Sequence, residues 1–181
     1  LTAESPCIDK GDPLLFDPDG SRCDQGALCY EPGYLPDDSA TPSTYCEAKV
    51  SSLGCTPAIG HTGTPSLAGD DDFRITAVNV PSHANGLMVW GTSQGAKPFR
   101  GGTLCVRGEL TRTPIMSSGG ALSGAKDCTG TFAFHLSQSY MGHHFLWHGR
   151  TIYAQFLYRD PASGDPTRFG MTEGLRVTIG P

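Results

Sequence analysis

Gly91-Thr92-Ser93-Gln94-Gly95 has the G-x-S-x-G spacing of a nucleophilic serine, and the apolar run Leu87–Trp90 precedes it. Such a serine reacts only where a sharp strand–turn–helix lifts its hydroxyl above a sheet, beside a histidine base. The residues that follow, Ala96-Lys97-Pro98-Phe99-Arg100-Gly101-Gly102, forbid that helix. Pro98 brings no amide hydrogen and the paired glycines destabilise a helical turn. Ser93 is therefore expected in a polar hairpin loop rather than as a nucleophile. A second constellation is His143, His144 and His148. His144 and His148 share a face on a helix or a strand, and with His135 they could offer imidazoles to copper or zinc. The helical zinc-protease motif wants Glu after its first histidine, whereas Phe145 follows His144. The alternation of Phe145 and Trp147 with His144 and His148 predicts a strand with one buried and one polar edge; surface histidines on a loop are the competing expectation.

Asp17, Asp19 and Asp24, with Asp9 and Asp12, could hold calcium through hard oxygens. A loop of the EF-hand kind requires Glu at its twelfth place, and counting from Asp17 that place is Leu28. Carboxylates that cap turns explain the same residues, and Asp70-Asp71-Asp72 raises the same choice. Glycoside hydrolysis needs two acids held ~5–10 Å apart across a cleft. Among Glu109, Asp127, Asp160, Asp165 and Glu173 the sequence singles out no such pair. Trp90, Tyr140, Trp147, Tyr153 and Tyr158 could stack on sugar rings, or fill a core.

The elements that must position these groups are written in the composition. Gly 24 and Pro 14 in 181 residues, with only 17% charged, exclude a coiled coil or helical bundle and suit short strands joined by tight turns. Residues 73–80 alternate apolar and polar, as a half-buried strand does. Residues 86–90, 103–107, 110–115, 131–136, 151–158 and 175–179 give six more strands, and only 136–145 leaves room for a short helix. Seven short strands divided by Gly, Pro, Asn and Ser predict an all-β, antiparallel β-sandwich, Ig-like or jelly-roll-like. Seven cysteines point to an oxidising compartment. Their order predicts the local pairs Cys23–Cys29, Cys46–Cys55 and Cys105–Cys128, with Cys7 left over; the Cys-x2-4-Cys spacing of a zinc site is missing.

The net charge of −5 is unevenly placed: residues 1–47 carry ten acids against Lys10 and Arg22, and the remainder eight acids against eleven bases. These bases are scattered along the chain, which argues against nucleic-acid binding. No apolar run approaches the ~18 residues of a membrane span. Leu1 is not an initiator methionine, so a processed or excised piece of a longer chain is expected.

Ser5-Pro-Cys-Ile-Asp-Lys-Gly-Asp-Pro13 and Asp17-Pro-Asp-Gly-Ser-Arg-Cys-Asp-Gln-Gly-Ala27 resemble the closing rung of right-handed parallel β-helix domains in large secreted bacterial proteins. The stretches YCEAKVSSLGCTPAIGHTGTPS, FRGGTLCV, DCTG and YAQFLYRD resemble a small C-terminal β-sandwich module carried by many such proteins. The resemblance implies architecture and a secreted or cell-surface location, but no reaction. It divides the chain into a β-helix-end segment (1–31), a Pro-rich linker and Cys-rich connector (32–54) and a disulfide-stapled sandwich (55–181). The expected role is a non-catalytic module for attachment, sorting or assembly, with other protein chains or the rest of a longer protein as partners. A carbohydrate-binding module is the alternative, and a small metal- or serine-dependent hydrolase the third reading.

Overall fold

The computed structural model describes residues 41–121, 126–164 and 166–181. The expected β-helix-end segment lies outside them, and with it Cys7, Asp17, Asp19, Asp24 and the pair Cys23–Cys29. Alternating side-chain polarity decides which stretches become strands. In β10 (Thr151–Arg159) the even positions Ile152, Ala154, Phe156 and Tyr158 are all buried on one face. This strand is the axis of a seven-stranded antiparallel sheet ordered β1 (Ser43–Tyr45), β12 (Gly174–Thr178), β10, β4 (Asn85–Gly91), β7 (Thr111–Arg112). The short β11 (Phe169–Met171) continues beside β10 and β8 (Met116–Ser117) beside β4. A three-stranded sheet, β2 (Ala58–Thr62), β3 (Arg74–Val80) and β9 (Gly130–His135), faces the even side of β10. Phe132 of β9 stacks on Phe156 with ring centroids 5.5 Å apart and tilts against Tyr158 at 6.3 Å. Ile75, Ala77, Met88, Leu175 and Val177 complete the core between the two sheets. β3 changes phase on the way: Asn79 takes φ 55° at a register shift, so Val80 turns inward after Ile75 and Ala77.

The opposite face of the large sheet carries a third layer, the hairpin β5 (Ser93–Phe99) and β6 (Gly102–Arg107). The protein is therefore all-β, antiparallel and disulfide-bonded, as the pattern of short strands implies. Three expectations about pairing and strand limits change. The first is the cysteine pairing: the bonds are Cys46–Cys105 and Cys55–Cys128, not Cys46–Cys55 and Cys105–Cys128. Proximity in sequence misled because Cys46 follows β1 at the edge of the large sheet while Cys55 precedes β2 of the small one, and the strands carry them to different layers. The second is the connector, whose described residues 41–54 include a strand of the large sheet: Ser43, Thr44 and Tyr45 pair with Arg176, Leu175 and Gly174. Gly174 has to lack a Cβ, which would stand 2.5 Å from the Tyr45 ring. The third is the strand 110–115, of which Thr111–Arg112 forms β7; Pro114 cannot donate to a ladder, and pairing with β4 resumes beyond it at β8.

Candidate functional site

Ser93 opens β5, pairs with Arg107 across the hairpin and is exposed. It sits on a strand–turn–strand, without the helix whose start would build an oxyanion pocket. The histidines do not act as one group. His144 caps the C-terminus of α1 (Gln138–His143) and packs its ring on Tyr140 at 4.3 Å and Trp90 at 5.4 Å. His143 and His148 are exposed, and His135 Nε2 contacts Asp71 on the far side of the helix start. Among the described residues no three of His, Cys, Asp or Glu come together as a metal site. Asp71 accepts from Gln138 N–H at 2.8 Å and Asp72 from Thr64 N–H at 3.1 Å, so these carboxylates fasten loops.

The expected aromatic–histidine strand is instead a helix end. Phe145 N–H reaches Gly142 O and Leu146 N–H reaches Met141 O, a Schellman closure that buries Leu146 and Met141 together. Phe145 fills the left-handed position at φ 54° where glycine is usual, and its ring is 75% exposed, with Trp147 at 56%. Trp90 and Tyr158 belong to the core. Burial holds the Tyr140 phenol above its ordinary range, partly opposed by the N–H that Trp90 Nε1 donates to it at 2.9 Å.

An apolar concavity lies elsewhere, on the outer face of the large sheet beyond the tip of the β5–β6 hairpin. Its volume is about 330 Å³, within the range of ligand sites. Leu87 and Leu157, paired across β4 and β10, are part of its floor, and Ile115 closes one side at 73% exposure. Phe99 at the hairpin tip and Phe169 of β11 form the other walls. Three arginines stand around it. Arg159 lies 4.5 Å over the Phe169 ring, Arg100 is 5.4 Å from the same ring and 5.7 Å from Phe99, and Arg112 comes from β7. All three are exposed, and no carboxylate of the described residues pairs with them. The nearby Asp160 is buried and faces away, accepting from the backbone N–H and hydroxyl of Ser52.

No family model, curated protein or solved structure matches the chain. What the cleft can do therefore rests on its own construction. The tip of the hairpin is a two-residue turn with Phe99 opposite Gly102, and both central residues, Arg100 at φ 50° and Gly101 at φ 71°, are left-handed. This is the twist that a tight hairpin requires, and glycine or asparagine accepts it more readily than arginine. The turn is held from outside: Lys49 Nζ and Thr167 Oγ1 each donate to Arg100 O at 2.9 Å. Further along, Gln155 of β10 fixes β6 by accepting from Cys105 N–H and donating to Thr103 O. Tyr45 hydroxyl donates to Cys105 O at 2.6 Å, and the Cys46–Cys105 bond ties the hairpin covalently to the end of β1. Burial, then the neighbouring Tyr153, raises the Tyr45 phenol well above its usual range, so it stays a donor.

The sequence missed this site because its arginines are far apart in the chain and read as scattered. The available signal was the tip itself, Phe99-Arg100-Gly101-Gly102, where a two-residue turn presents a cation beside an aromatic ring.

Proposed function

We propose that the chain is a non-catalytic attachment or assembly module of an extracellular protein, and that it works by holding another protein. The observation that carries this reading is the arginine-rimmed cleft on a hairpin fixed by a disulfide, by Gln155 and by two donors to the turn. Preorganised apolar surface with unpaired cations around it favours recognition over chemistry, since binding then requires little ordering of the site. Two cross-layer disulfides favour an oxidising, extracellular setting. Among the described residues no helix is long and apolar enough to cross a membrane. The resemblance to the C-terminal modules of large secreted bacterial proteins points the same way. Fusion of the chain behind an exported reporter tests it: the reporter is expected to stay on the bacterial surface. Release into the medium at the level of the reporter alone contradicts the attachment role.

A second reading, glycan recognition, has one observation in its favour. Phe145 is held outward in a backbone conformation unfavourable to a bulky residue, beside the half-exposed Trp147, whose ring is covered on one side by Arg150 at 4.6 Å. A glycan array read with the unaltered chain and with Trp147→Ala separates the two readings. Binding that disappears with Trp147 supports glycan recognition, and signal at background level removes it.

A further inference from the structure

We propose that the cleft beyond the hairpin tip takes an extended acidic peptide with one bulky apolar side chain, which seats on Leu87, Leu157 and Ile115 while carboxylates on either side meet Arg100, Arg112 and Arg159. This rests on the reading of the chain as a protein-binding module and adds the chemistry of the partner. The aliphatic floor and a volume of about 330 Å³ suit a single Phe-, Leu- or Ile-sized anchor with adjoining backbone. The anchor alone would leave three cations at its margin unpaired, so charge complementarity calls for acids next to it. Two of the guanidinium groups have a partner that places them: Arg159 and Arg100 lie 4.5 Å and 5.4 Å over the Phe169 ring, and a guanidinium on an aromatic face can still form a fork with a carboxylate. The same stacking disfavours a sugar, because cations cover the aromatic faces on which a pyranose would lie. Asp160, the carboxylate that could have neutralised this margin, is taken up by Ser52.

A capped pentapeptide with a central phenylalanine and two carboxylates on each side is the probe, titrated into the full chain by calorimetry or fluorescence anisotropy. Binding is expected to weaken about tenfold or more when the side-chain carboxylates are replaced by amides, and similarly when phenylalanine is replaced by alanine. Raising salt from ~0.05 M to ~0.5 M should weaken it about tenfold, as exposed ion pairs are screened. The double variant Arg112→Glu/Arg159→Glu should lose binding by more than about tenfold with an unchanged circular dichroism spectrum and melting temperature. Ile115→Asp, at a position already 73% exposed, provides a variant that keeps its fold and should also lose the peptide. Equal affinity for the acidic and amide peptides, or undiminished binding by the charge-reversed chain, overturns the proposal. Tighter binding of a sulfated disaccharide or of anionic lipid vesicles, with loss at the same arginines, overturns the peptide assignment. Peptide binding without surface retention of a fused reporter upholds the cleft's chemistry and overturns only the attachment role.

Discussion

Gln155 and Phe156 are neighbours on β10, yet the faces they serve are joined by different forces. Phe156 points into the space between the two sheets, where it stacks on Phe132 within the apolar core. Gln155 points the other way and is equally buried, but it uses its whole amide: it accepts from Cys105 N–H at 3.0 Å and donates to Thr103 O at 3.0 Å and Thr172 O at 2.7 Å. Burial of apolar surface is strong and non-directional, so the inner layer can be assembled from many sequences of similar volume. Hydrogen bonds and a disulfide fix position, so the outer layer has one placement on the sheet. The difference teaches where to look for function: the inner face makes the fold stable, and the outer face makes a particular surface.

The largest effect should come from the inner face. Phe156→Ala leaves a cavity opposite Phe132 and is expected to cost about 3–5 kcal/mol in denaturant unfolding, as one cooperative transition. On the outer face, Cys46→Ser/Cys105→Ser removes a link across 59 residues, with an expected loss of about 4 kcal/mol in the chain-entropy treatment. Thermal unfolding measures it, and the peptide affinity of the cleft should fall along with stability, whereas Phe156→Ala should leave that affinity unchanged below its melting transition. Gln155→Leu strands an N–H and two carbonyls in a largely buried interface, at a cost of about 3 kcal/mol. Its signature in hydrogen exchange should be lost protection in β6 before any loss in β3 or β9. If both layers loosen together, the faces are not energetically distinct.

The inner face was legible in sequence for a physical reason. Strands 73–80, 131–136 and 151–158 each have a face committed to the core that alternation exposes, and 86–90 shows itself as a short run apolar on both faces. β5 carries no strand signature, so Ser93 looks like a loop residue, because Ser93-Gln-Gly-Ala-Lys-Pro-Phe99 is largely exposed and has no core face to declare. Its position depends on long-range bonds to Gln155 and Cys46, which leave no local pattern. The cysteine pairing failed for the same reason, and so did the arginine cleft, whose parts lie at 100, 112 and 159. At the helix end the periodicity was misread by one residue: Leu146 goes inward and Phe145 and Trp147 outward, because a left-handed residue after the helix rotates the chain.

The smallest effect is expected there. Phe145→Gly relieves the left-handed strain at a surface position and should raise stability by about 1 kcal/mol in thermal unfolding. A loss of stability instead would show that the exposed ring contributes packing to the fold.

The bond between Cys46 and Cys105 is the covalent tie of the outer layer to the large sheet, and non-reducing tryptic mapping tests it directly. Lys49 lies between Cys46 and Cys55, and Arg107, Arg112 and Lys126 lie between Cys105 and Cys128, so these four cysteines fall on four different peptides; Cys46 shares peptide 23–49 with Cys23 and Cys29, and fragmentation within that peptide assigns its bond. Linked peptides joining Cys46 to Cys105 and Cys55 to Cys128 are the expected result. Peptides joining Cys46 to Cys55 and Cys105 to Cys128 would detach the hairpin from β1 and contradict the layered architecture together with the cleft built upon it.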